Sequence, residues 1–512
     1  MLDRSTQSKN WEEKAVRHTI LLTTSVIVSQ LLLILRGFIL AKFLGPSLYG
    51  LWHGLRVIIN NSDHYNLGIY EGMRREVPYY RGKGDLKRVE EMISTAYLSG
   101  VLLASLTSCI LIGISLLFSN RFDRATILCL WIVAGILMVR QIYLFLCKKL
   151  ESEGRFYSRS KAELLSVWLG VPLSIGLMFI LDIYGFLIGI LLGYLLAGFV
   201  VQKGETIITE HRIRLGLSLD LLKIGFPIIL IGLLLSALKS IDKLMILYFL
   251  DRTMLGYYGM AFVAASFIGF FPGALKSVLY PRLMEKLGEK GDKLTLKRFL
   301  VEPSLLLVFL TLLVIGFVYL LAPVGIRILL PQYIPSITPT KILALSFYPM
   351  ALLEIPLFIL IGINLQKKLL PILFGSLVFF FGVNFIALSL GLGIEGVSFA
   401  VGLTFLALTS VFMLLTLDQF NQSFKEKVRF LSQNYLPFLY TACVLLLLDR
   451  VTARQAGGNS QILVVGFFQF LIFLVSLIPI FLYLNRKINI TDRVLRAVRL
   501  KDAMGRVSFF ED

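Results

Sequence analysis

Long apolar runs separated by short polar connections constrain the fold of this chain more than any other feature. Hydrophobic residues make up 57% of the 512 residues and charged residues only 16%, against roughly 25% charged residues in soluble domains. A helix needs about 20 apolar residues to cross the hydrocarbon core of a membrane. Runs of this kind fill most of the sequence, so it predicts an all-α membrane protein.

Polar breaks between the apolar runs predict about 14 transmembrane helices, each long enough to cross the bilayer. The run at 435–449 is short, and the second helix is polar enough that hydropathy alone would miss it. The connections leave no room for a soluble catalytic domain. The predicted helices are 19–41, 48–70, 93–117, 125–147, 162–181, 184–202, 221–249, 254–279, 299–321, 338–363, 369–390, 394–416, 435–449 and 461–484.

Lysine and arginine are concentrated in alternate connections. The intervening connections hold few, among them Lys42 and Arg121. By the positive-inside rule, this distribution predicts a multi-pass protein of the cytoplasmic (inner) membrane with both termini in the cytoplasm. Topology therefore accounts for most of the net charge of +19, and a nucleic-acid partner is not expected. The basic segments are the N-terminus, 74–88, 148–161, 203–223, 282–298, 367–368, 425–429 and the C-terminal tail.

Two segments of the chain resemble each other. RGFILAKFLGPSLYG (36–50) aligns with DKLMILYFLDRTMLG (242–256), which pairs Gly50 with Gly256, and RGKGD (81–85) meets GEKGD (288–292). An even number of predicted helices separates the copies, so the repeat is parallel, and such transporters bind substrate between the two halves. The predicted domains are an N-terminal six-helix bundle (1–203), a C-terminal six-helix bundle (204–416), two additional transmembrane helices (417–484) and a cytoplasmic tail (485–512) that is basic and either amphipathic or solvated.

Several ionisable side chains fall inside the apolar runs. Each costs about 2.5–3.5 kcal/mol at mid-membrane on insertion scales, so each is a functional candidate. Arg56, Asp63 and His64, together with the polar Asn60, share one face of the second predicted helix, which predicts a polar stripe that faces away from lipid. The candidate substrate-binding residues are Arg36, Arg56, Asn60, Asn61, Asp63, His64, Arg140, Lys239, Asp242, Lys243 and Lys276.

These charges can also pair with each other and only hold helices together. Asp242 can pair with Lys239 or Lys243, and Arg56 can pair with Asp63 across a turn. Basic residues nevertheless outnumber the carboxylates at comparable positions. A wet cavity with surplus arginine suits an anionic group, because arginine binds phosphate bidentately. His64 is either a proton-coupling residue or a polar lining residue.

No sequence pattern indicates an enzyme. Nucleotide-binding, zinc-protease and nucleophile-elbow motifs do not occur. Four histidines and four cysteines give no metal-ligand spacing, so neither a cofactor nor a metal is expected.

LAKFLGPSLYGLW (40–52), with its Leu-Gly-Pro-x-x-Tyr-Gly core, and LGIYEGMRREVPYYRGKGD (67–85) resemble the polysaccharide transporters of the O-antigen flippase type. These belong to the multidrug/oligosaccharidyl-lipid/polysaccharide exporter superfamily. The resemblance implies a cavity between two six-helix bundles, and movement of undecaprenyl-pyrophosphate-linked oligosaccharide to the outer leaflet. The second copy departs from the motif, with Asp251-Arg252-Thr253 where Gly-Pro would stand.

The resemblance also implies site residues and partners. In related lipid II flippases, arginines on the first two helices serve the pyrophosphate, so Arg36 and Arg56 are the first candidates here. The expected partners are the lipid-linked oligosaccharide, membrane lipids, a coupling proton or sodium ion, and polysaccharide-assembly proteins.

Three other functions fit the sequence less well than a flippase. A cation-coupled multidrug antiporter of the same fold would favour acidic cavity residues. A membrane-embedded glycan polymerase or ligase would need a sizeable outer loop with catalytic motifs. A non-transporting scaffold does not account for so many buried charges.

Overall fold

The computed structural model describes residues 2–202, 214–273, 275, 279, 283, 293–452 and 459–488. Within these ranges every regular element is helical and no strand occurs. Short 3₁₀ helices lie at Ser62–His64, Phe267–Gly269 and Pro331–Ser336. The α-helices are α1 (Leu2–Asn61), α2 (Ile69–Gly82), α3 (Leu86–Leu117), α4 (Arg124–Ser152), α5 (Phe156–Gln202), α6 (Leu215–Leu238), α7 (Ile241–Phe249), α8 (Arg252–Ser266), α9 (Lys293–Leu329), α10 (Ile337–Gly362), α11 (Gln366–Ser389), α12 (Gly393–Gln419), α13 (Phe424–Thr452), α14 (Asn459–Ser476) and α15 (Ile478–Ile488).

The all-helical membrane fold predicted from the apolar runs is confirmed. In the described part of the chain, 12 helical segments are long and apolar enough to cross a membrane. Two of them, Val28–Gly82 with 55 residues and Tyr157–Gln202 with 46, far exceed the roughly 20 residues of one crossing. Each contains a backbone break, and the number of about 14 crossings stays a prediction.

Both breaks lie where the sequence predicts a connection. In α1, Gly45 has φ 70° and ψ 169°, a conformation that glycine adopts without a side-chain clash. Pro46 follows it and cannot donate a backbone hydrogen bond to the preceding turn. In α5, the break falls at Leu181 and Asp182, where Asp182 has φ 49°. The chain therefore reverses at the Leu-Gly-Pro motif and again within α5.

The predicted helix 48–70 is wrong beyond Asn61. The α-helix ends there, a 3₁₀ turn follows, and Gly68 has φ 96° before α2 begins. Polar side chains close to the break take over its hydrogen bonds. Ser62 Oγ donates to the Ile59 carbonyl at 2.7 Å, and Asn66 Oδ1 accepts from the Gly68 N–H at 3.0 Å. Asp63 and His64 consequently leave the helical face assigned to them with Arg56 and Asn60.

Three further predicted helices have different bounds. The run 221–249 is two helices, α6 and α7, separated at Lys239 and Ser240. The short run 435–449 lies inside the 29-residue helix α13. The last run, 461–484, divides between α14 and α15 at Leu477. The predicted tail after residue 488 and the loop 282–292 lie outside the described residues, apart from position 283.

By its internal contacts the chain divides into two units. Unit 1 comprises 1–263 and 366–397, and unit 2 comprises 264–365 and 398–512. This division does not follow chain order, and the four domains drawn from the sequence stay a prediction. Each unit is described by itself.

In unit 1, the two repeat copies contact each other at equivalent positions. A methyl group built on Gly50 would lie 1.7 Å from the Arg252 carbonyl oxygen, and one on Gly256 would lie 1.9 Å from the Pro46 carbonyl oxygen. The alignment of Gly50 with Gly256 also pairs Pro46 with Arg252, so the two contacts are reciprocal. Reciprocal contact between equivalent residues is the signature of a two-fold relation. It agrees with the parallel repeat predicted from the sequence.

The core of unit 1 forms where α2 packs against α3, α4 and α6. Apolar residues recur along α2 at helical spacing, which gives the helix one buried face. The opposite face carries charged residues, Arg74 and Arg75 among them. Residues of all four helices share this core; they include Ile69, Tyr70, Met73, Val77, Val89, Met92, Phe145 and Leu221.

In unit 2, helix α10 is buried and its polar groups are bonded to its neighbours. The Tyr348 hydroxyl donates to the Asn434 carbonyl, and the Tyr348 ring stacks on Phe438 with centroids 4.4 Å apart. Thr409 Oγ1 donates to the Pro349 carbonyl at 2.7 Å. These bonds give the buried hydroxyl groups acceptors within the protein, where no water is at hand to supply them.

Candidate functional site

The folding back of α1 at Gly45 brings Arg36 and Arg56 into one cavity. Arg36 lies before the break and Arg56 after it, and both line a cavity of about 160 Å³. Asn60 lines the same cavity and is exposed. The two first-choice candidates from the sequence are therefore neighbours in space, although 20 residues of chain and a reversal separate them.

Among the residues that the structure describes, no Asp or Glu lines this smaller cavity. The Arg36 guanidinium lies 5.3 Å from the Phe186 ring centroid and 6.0 Å from that of Trp52, which are cation–π contacts. In the described part of the chain, neither Arg36 nor Arg56 forms an ion pair with Asp or Glu. The two positive charges thus lie in one cavity without a compensating carboxylate from the described residues.

A second, larger cavity of about 480 Å³ lies beside the first. His64 lines it, and its buried Nδ1 has no hydrogen-bond partner. Four acidic and four basic residues also line it: Asp63, Glu71, Glu151, Glu163, Arg74, Arg140, Lys148 and Arg159.

The charges of the larger cavity are paired with each other. All eight of its ionisable acidic and basic side chains take part in an ion pair, so this cavity is electrically balanced. Several of the charged side chains are partly exposed, which limits the contribution of each pair to stability. The pairs include Arg74–Glu71 at 2.6 Å, Lys148–Glu71 at 2.9 Å, Arg159–Glu151 at 3.0 Å, Arg159–Glu163 at 2.8 Å and Arg140–Asp63 at 2.8 Å.

Arg140 and the neighbouring Gln141 bind the end of α1. Arg140 Nη1 donates to the Ile59 carbonyl at 2.6 Å and to Ser62 Oγ, and Gln141 Nε2 donates to the Ser62 carbonyl. The last turn of a helix leaves carbonyls without intrahelical partners, and these two side chains satisfy them. The guanidinium of Arg140 is therefore engaged by the protein itself.

Two of the pairings considered from the sequence have different outcomes. Asp63 pairs with Arg140 at 2.8 Å, and not with Arg56, which was the alternative considered from the sequence. Asp242 pairs with Lys243 at 3.1 Å, so that pairing is confirmed. Asn61 also bonds within the protein: its amide donates to the Val57 carbonyl and to Ser240 Oγ, and it accepts from Ser236 Oγ.

The lysines and the aspartate of the seventh predicted helix bond to one another. Asp242 and Lys243 are buried, and the Tyr258 hydroxyl donates to Asp242 Oδ2 at 2.5 Å. Lys243 Nζ donates to the Lys239 carbonyl at 2.7 Å and lies 3.9 Å from the Phe262 ring centroid. None of Lys239, Asp242 and Lys243 lines either cavity. Lys276 lies outside the described residues.

Sequence reasoning missed three residues that line both cavities, namely Ser166, Val167 and Tyr194. All three belong to α5, whose two segments are apolar overall. Their residue types are ordinary for a membrane helix, and no charge marks them. Only the reversal at Leu181 and Asp182 places Ser166 and Tyr194 on the same wall.

The apolar helices and the charged cavities define a multi-pass membrane protein, and solved structures identify its fold as that of a transporter. An inward-facing multidrug resistance MATE family transporter of the MOP superfamily aligns with a TM-score of 0.66 at 15% identity, over 78% of this chain and 98% of that one. The lipid II flippase MurJ, in an inward closed conformation, aligns with a TM-score of 0.64 at 15% identity, over 89% and 98%. At 15% sequence identity, this structural similarity establishes the fold alone.

A third similar structure is a MOP superfamily transporter from Pyrococcus furiosus. It aligns with a TM-score of 0.50 at 17% identity, over 79% of this chain and 95% of that one. That protein is described as having a binding pocket of reverse polarity, which suggests a different function for it.

Sequence comparison identifies the family. The profile of the family described as polysaccharide biosynthesis protein matches residues 39–339, which is more than half of the chain. The protein therefore belongs to this polysaccharide biosynthesis family, and the resemblance drawn from the Leu-Gly-Pro motif is confirmed. A search of curated proteins finds no match.

Proposed function

We propose that this protein is a flippase that moves undecaprenyl-pyrophosphate-linked oligosaccharide across the cytoplasmic membrane for surface polysaccharide biosynthesis. The observation that carries the proposal is the smaller cavity, which holds Arg36 and Arg56 without a carboxylate. Membership of a polysaccharide biosynthesis family and the transporter fold support it. The protein acts as a transporter by alternating access and performs no covalent chemistry.

Two adjacent arginines need a reason to remain unpaired. A charged side chain inside the membrane is costly unless it has a partner or water, and two like charges in one small cavity also repel each other. A pyrophosphate group removes both penalties when it binds. Guanidinium groups match phosphate oxygens bidentately, so Arg36 and Arg56 hold the pyrophosphate while the polyprenyl chain stays in lipid.

The proposal also includes the direction of transport and its driving force. The distribution of lysine and arginine supports cytoplasmic placement of both termini. The substrate then enters from the inner leaflet and leaves toward the outer one. A proton or sodium gradient, or the membrane potential, supplies the energy, and His64 in the larger cavity is the candidate proton carrier.

A cation-coupled multidrug-type antiporter is the second candidate, because four carboxylates line the larger cavity and the fold is shared with a MATE transporter. Each of these carboxylates is already in an ion pair, for example Asp63 with Arg140 and Glu163 with Arg159. A cationic drug would have to displace an arginine or lysine from its partner. The unpaired arginines favour an anionic substrate instead.

A leaflet-accessibility assay tests the proposed function. The purified full chain is placed in liposomes that contain a fluorescent polyprenyl-pyrophosphate N-acetylglucosamine, and dithionite quenches only the label in the outer leaflet. With wild-type protein, we expect dithionite to quench more label than the fraction that starts in the outer leaflet, because flipping brings inner-leaflet label to the outer side. Arg36→Ala and Arg56→Ala should each slow this flipping by at least about tenfold, which corresponds to about 1.4 kcal/mol in activation free energy.

The matched control is Arg121→Ala, which removes an exposed arginine from a connection and should flip at the wild-type rate. Normal flipping by Arg36→Ala, or an equal loss in Arg121→Ala, contradicts the assigned role of the cavity. Transport of a quaternary ammonium dye with no movement of the lipid supports the antiporter instead.

A further inference from the structure

The two cavities of unit 1 adjoin at a wall that α5 builds. Ser166 and Val167 lie before the break at Leu181 and Asp182, and Tyr194 lies after it. All three line the smaller cavity and the larger one. A group bound in one cavity is therefore next to a group bound in the other.

The electrostatic character of the cavities changes across this wall. The smaller cavity holds Arg36 and Arg56 and no carboxylate. The larger cavity has equal numbers of acidic and basic lining residues, and these are paired. An anion is attracted to the smaller cavity, whereas any added charge in the larger one disturbs an existing pair.

Tyr194 is fixed at the boundary by contacts with residues of the larger cavity. Arg140 Nε donates to Tyr194 Oη at 3.3 Å, and the Arg140 guanidinium lies 5.8 Å from the Tyr194 ring centroid. The ring of Tyr143 lies 5.4 Å from that of Tyr194. Arg140 is itself held by Asp63 and by the end of α1. Tyr194 therefore has a defined position between the two cavities.

We propose that Tyr194 is a specificity-determining residue that divides a two-part substrate site, with the pyrophosphate in the Arg36–Arg56 cavity and an uncharged sugar in the charge-balanced cavity. The proposal rests on the proposed function and adds the class of sugar, which is neutral at the position next to the phosphate. Tyr194 sets the distance between the two groups and offers its ring to the sugar.

The chemistry of the larger cavity fits a neutral sugar. Each sugar hydroxyl both donates and accepts hydrogen bonds. The paired carboxylates and guanidinium groups supply acceptors and donors side by side, and hydrogen bonds to charged groups are stronger than neutral ones. A uronic acid at the same place would add a carboxylate to a balanced network. It would compete with Glu151 and Glu163 for Arg159, and one carboxylate would lose its partner.

Binding to the purified full chain in detergent tests the proposal. Isothermal titration calorimetry compares three probes: farnesyl pyrophosphate, the same lipid carrying N-acetylglucosamine, and the same lipid carrying glucuronic acid. Wild-type protein should bind the N-acetylglucosamine probe at least about tenfold more tightly than the bare pyrophosphate, a difference of 1.4 kcal/mol. It should also prefer this probe to the acidic one.

Tyr194→Ala should reduce the affinity ratio between the N-acetylglucosamine probe and the bare pyrophosphate to near one. Arg56→Gln should weaken both probes by a similar factor and keep their ratio. Tyr184→Ala, on the same segment of α5 but outside both cavities, is the matched control and should keep the wild-type values. Glu163→Gln removes one carboxylate from the larger cavity and should shift the preference toward the acidic sugar.

The outcomes separate the two proposals. If no probe binds, or if Arg56→Gln has no effect, the proposed function fails. If the probes bind and Arg56→Gln weakens them, but Tyr194→Ala leaves the sugar-dependent ratio at its wild-type value, the division by Tyr194 is wrong. A wild-type preference for glucuronic acid over N-acetylglucosamine likewise overturns the assignment of a neutral sugar.

Discussion

At the scale of single residues, identical side chains differ in what they contact. Arg140 bonds to a carboxylate, two backbone or hydroxyl oxygens of the α1 end, and a tyrosine. Arg36 contacts two aromatic rings and has no carboxylate beside it. A guanidinium that the protein already satisfies contributes to structure, and one that it leaves unsatisfied is available to a ligand. Arg140 and Arg36 differ in the groups that they contact, and the residue type alone does not reveal those contacts.

This difference predicts opposite effects on stability. Arg140→Leu removes two hydrogen bonds from a charged donor, to the Ile59 carbonyl and to Ser62 Oγ, and a hydrogen bond to a charged group contributes about 1.5–3 kcal/mol. Loss of the ion pair with Asp63 lowers the free energy of unfolding by less, because the Asp63 side chain is 46% exposed and solvent screens the pair. Arg36→Leu removes an unpaired charge and should leave the free energy of unfolding unchanged or raised. Scanning fluorimetry in detergent at one heating rate measures both apparent melting temperatures. Equal decreases in the two variants contradict the assignment.

Sequence analysis named Arg36 and Arg56 as first candidates, because charges inside apolar runs are conspicuous and the resemblance to lipid II flippases pointed to arginines on the first two helices. The structure places both in one cavity, and their role in binding stays a prediction. Sequence analysis was insufficient for Asp63, whose partner Arg140 is 77 positions away in the numbering and on another helix. It was also insufficient for Tyr194, which carries no charge. Long-range packing determines both, and hydropathy contains no information about it.

At the scale of helices, the contact between Gly50 and Gly256 depends on the absence of a side chain. Arg252, whose carbonyl faces Gly50, also pairs through Nη2 with Asp123 Oδ1 at 2.8 Å. The hydrogen bond from Arg252, with one from Thr126, lowers the pKa of Asp123 to about 2. The pair contributes stability above the ordinary pKa of the carboxyl group and loses it only as the pH falls toward 2. It is therefore formed at neutral pH beside the glycine contact.

Substitution of either glycine by alanine should separate these helices. At Gly50 and at Gly256 a methyl group would overlap a carbonyl oxygen of the facing backbone, and overpacking of this kind costs about 1–3 kcal/mol. We expect lower apparent melting temperatures and slower flipping in both variants. Gly176→Ala is the matched control, because nothing lies within 4 Å of a methyl group there. A control as damaged as Gly50→Ala would show that any alanine in these helices is harmful, and would contradict the role of close contact.

Sequence analysis predicted helix interruptions where glycine and proline mark them, as at Gly45. It failed at Asn61, because the interruption there depends on Arg140 and Gln141, which satisfy the exposed carbonyls from α4. Hydropathy averaged over a short stretch of sequence does not include contacts from a distant helix. The break at Lys239 and Ser240 was missed for the same reason: Ser240 bonds to the distant Asn61.

At the scale of the whole molecule, the prediction that remains to be tested is the direction in which the chain crosses the membrane. The distribution of lysine and arginine is the physical basis, since basic connections are retained on the cytoplasmic side during insertion. Helix α3, Leu86–Leu117, is 32 residues long, and at about 1.5 Å per residue it exceeds the thickness of the hydrocarbon core. Lys83 precedes it and Arg121 follows it, so these exposed residues lie at its two ends.

Single cysteines at these two positions distinguish the orientations. In a variant whose native Cys109, Cys129, Cys147 and Cys443 are replaced by alanine, Arg121→Cys should react with a membrane-impermeant maleimide in intact cells. Lys83→Cys should react only after the cells are permeabilised, because the basic connection between α2 and α3 is expected in the cytoplasm. The reverse pattern would contradict the proposed function, because the entrance that it assigns to the lipid-linked sugar would then face the outer side. Reaction of both cysteines in intact cells would mean that α3 does not cross the bilayer, and the topology from which the flippase direction was inferred would be wrong.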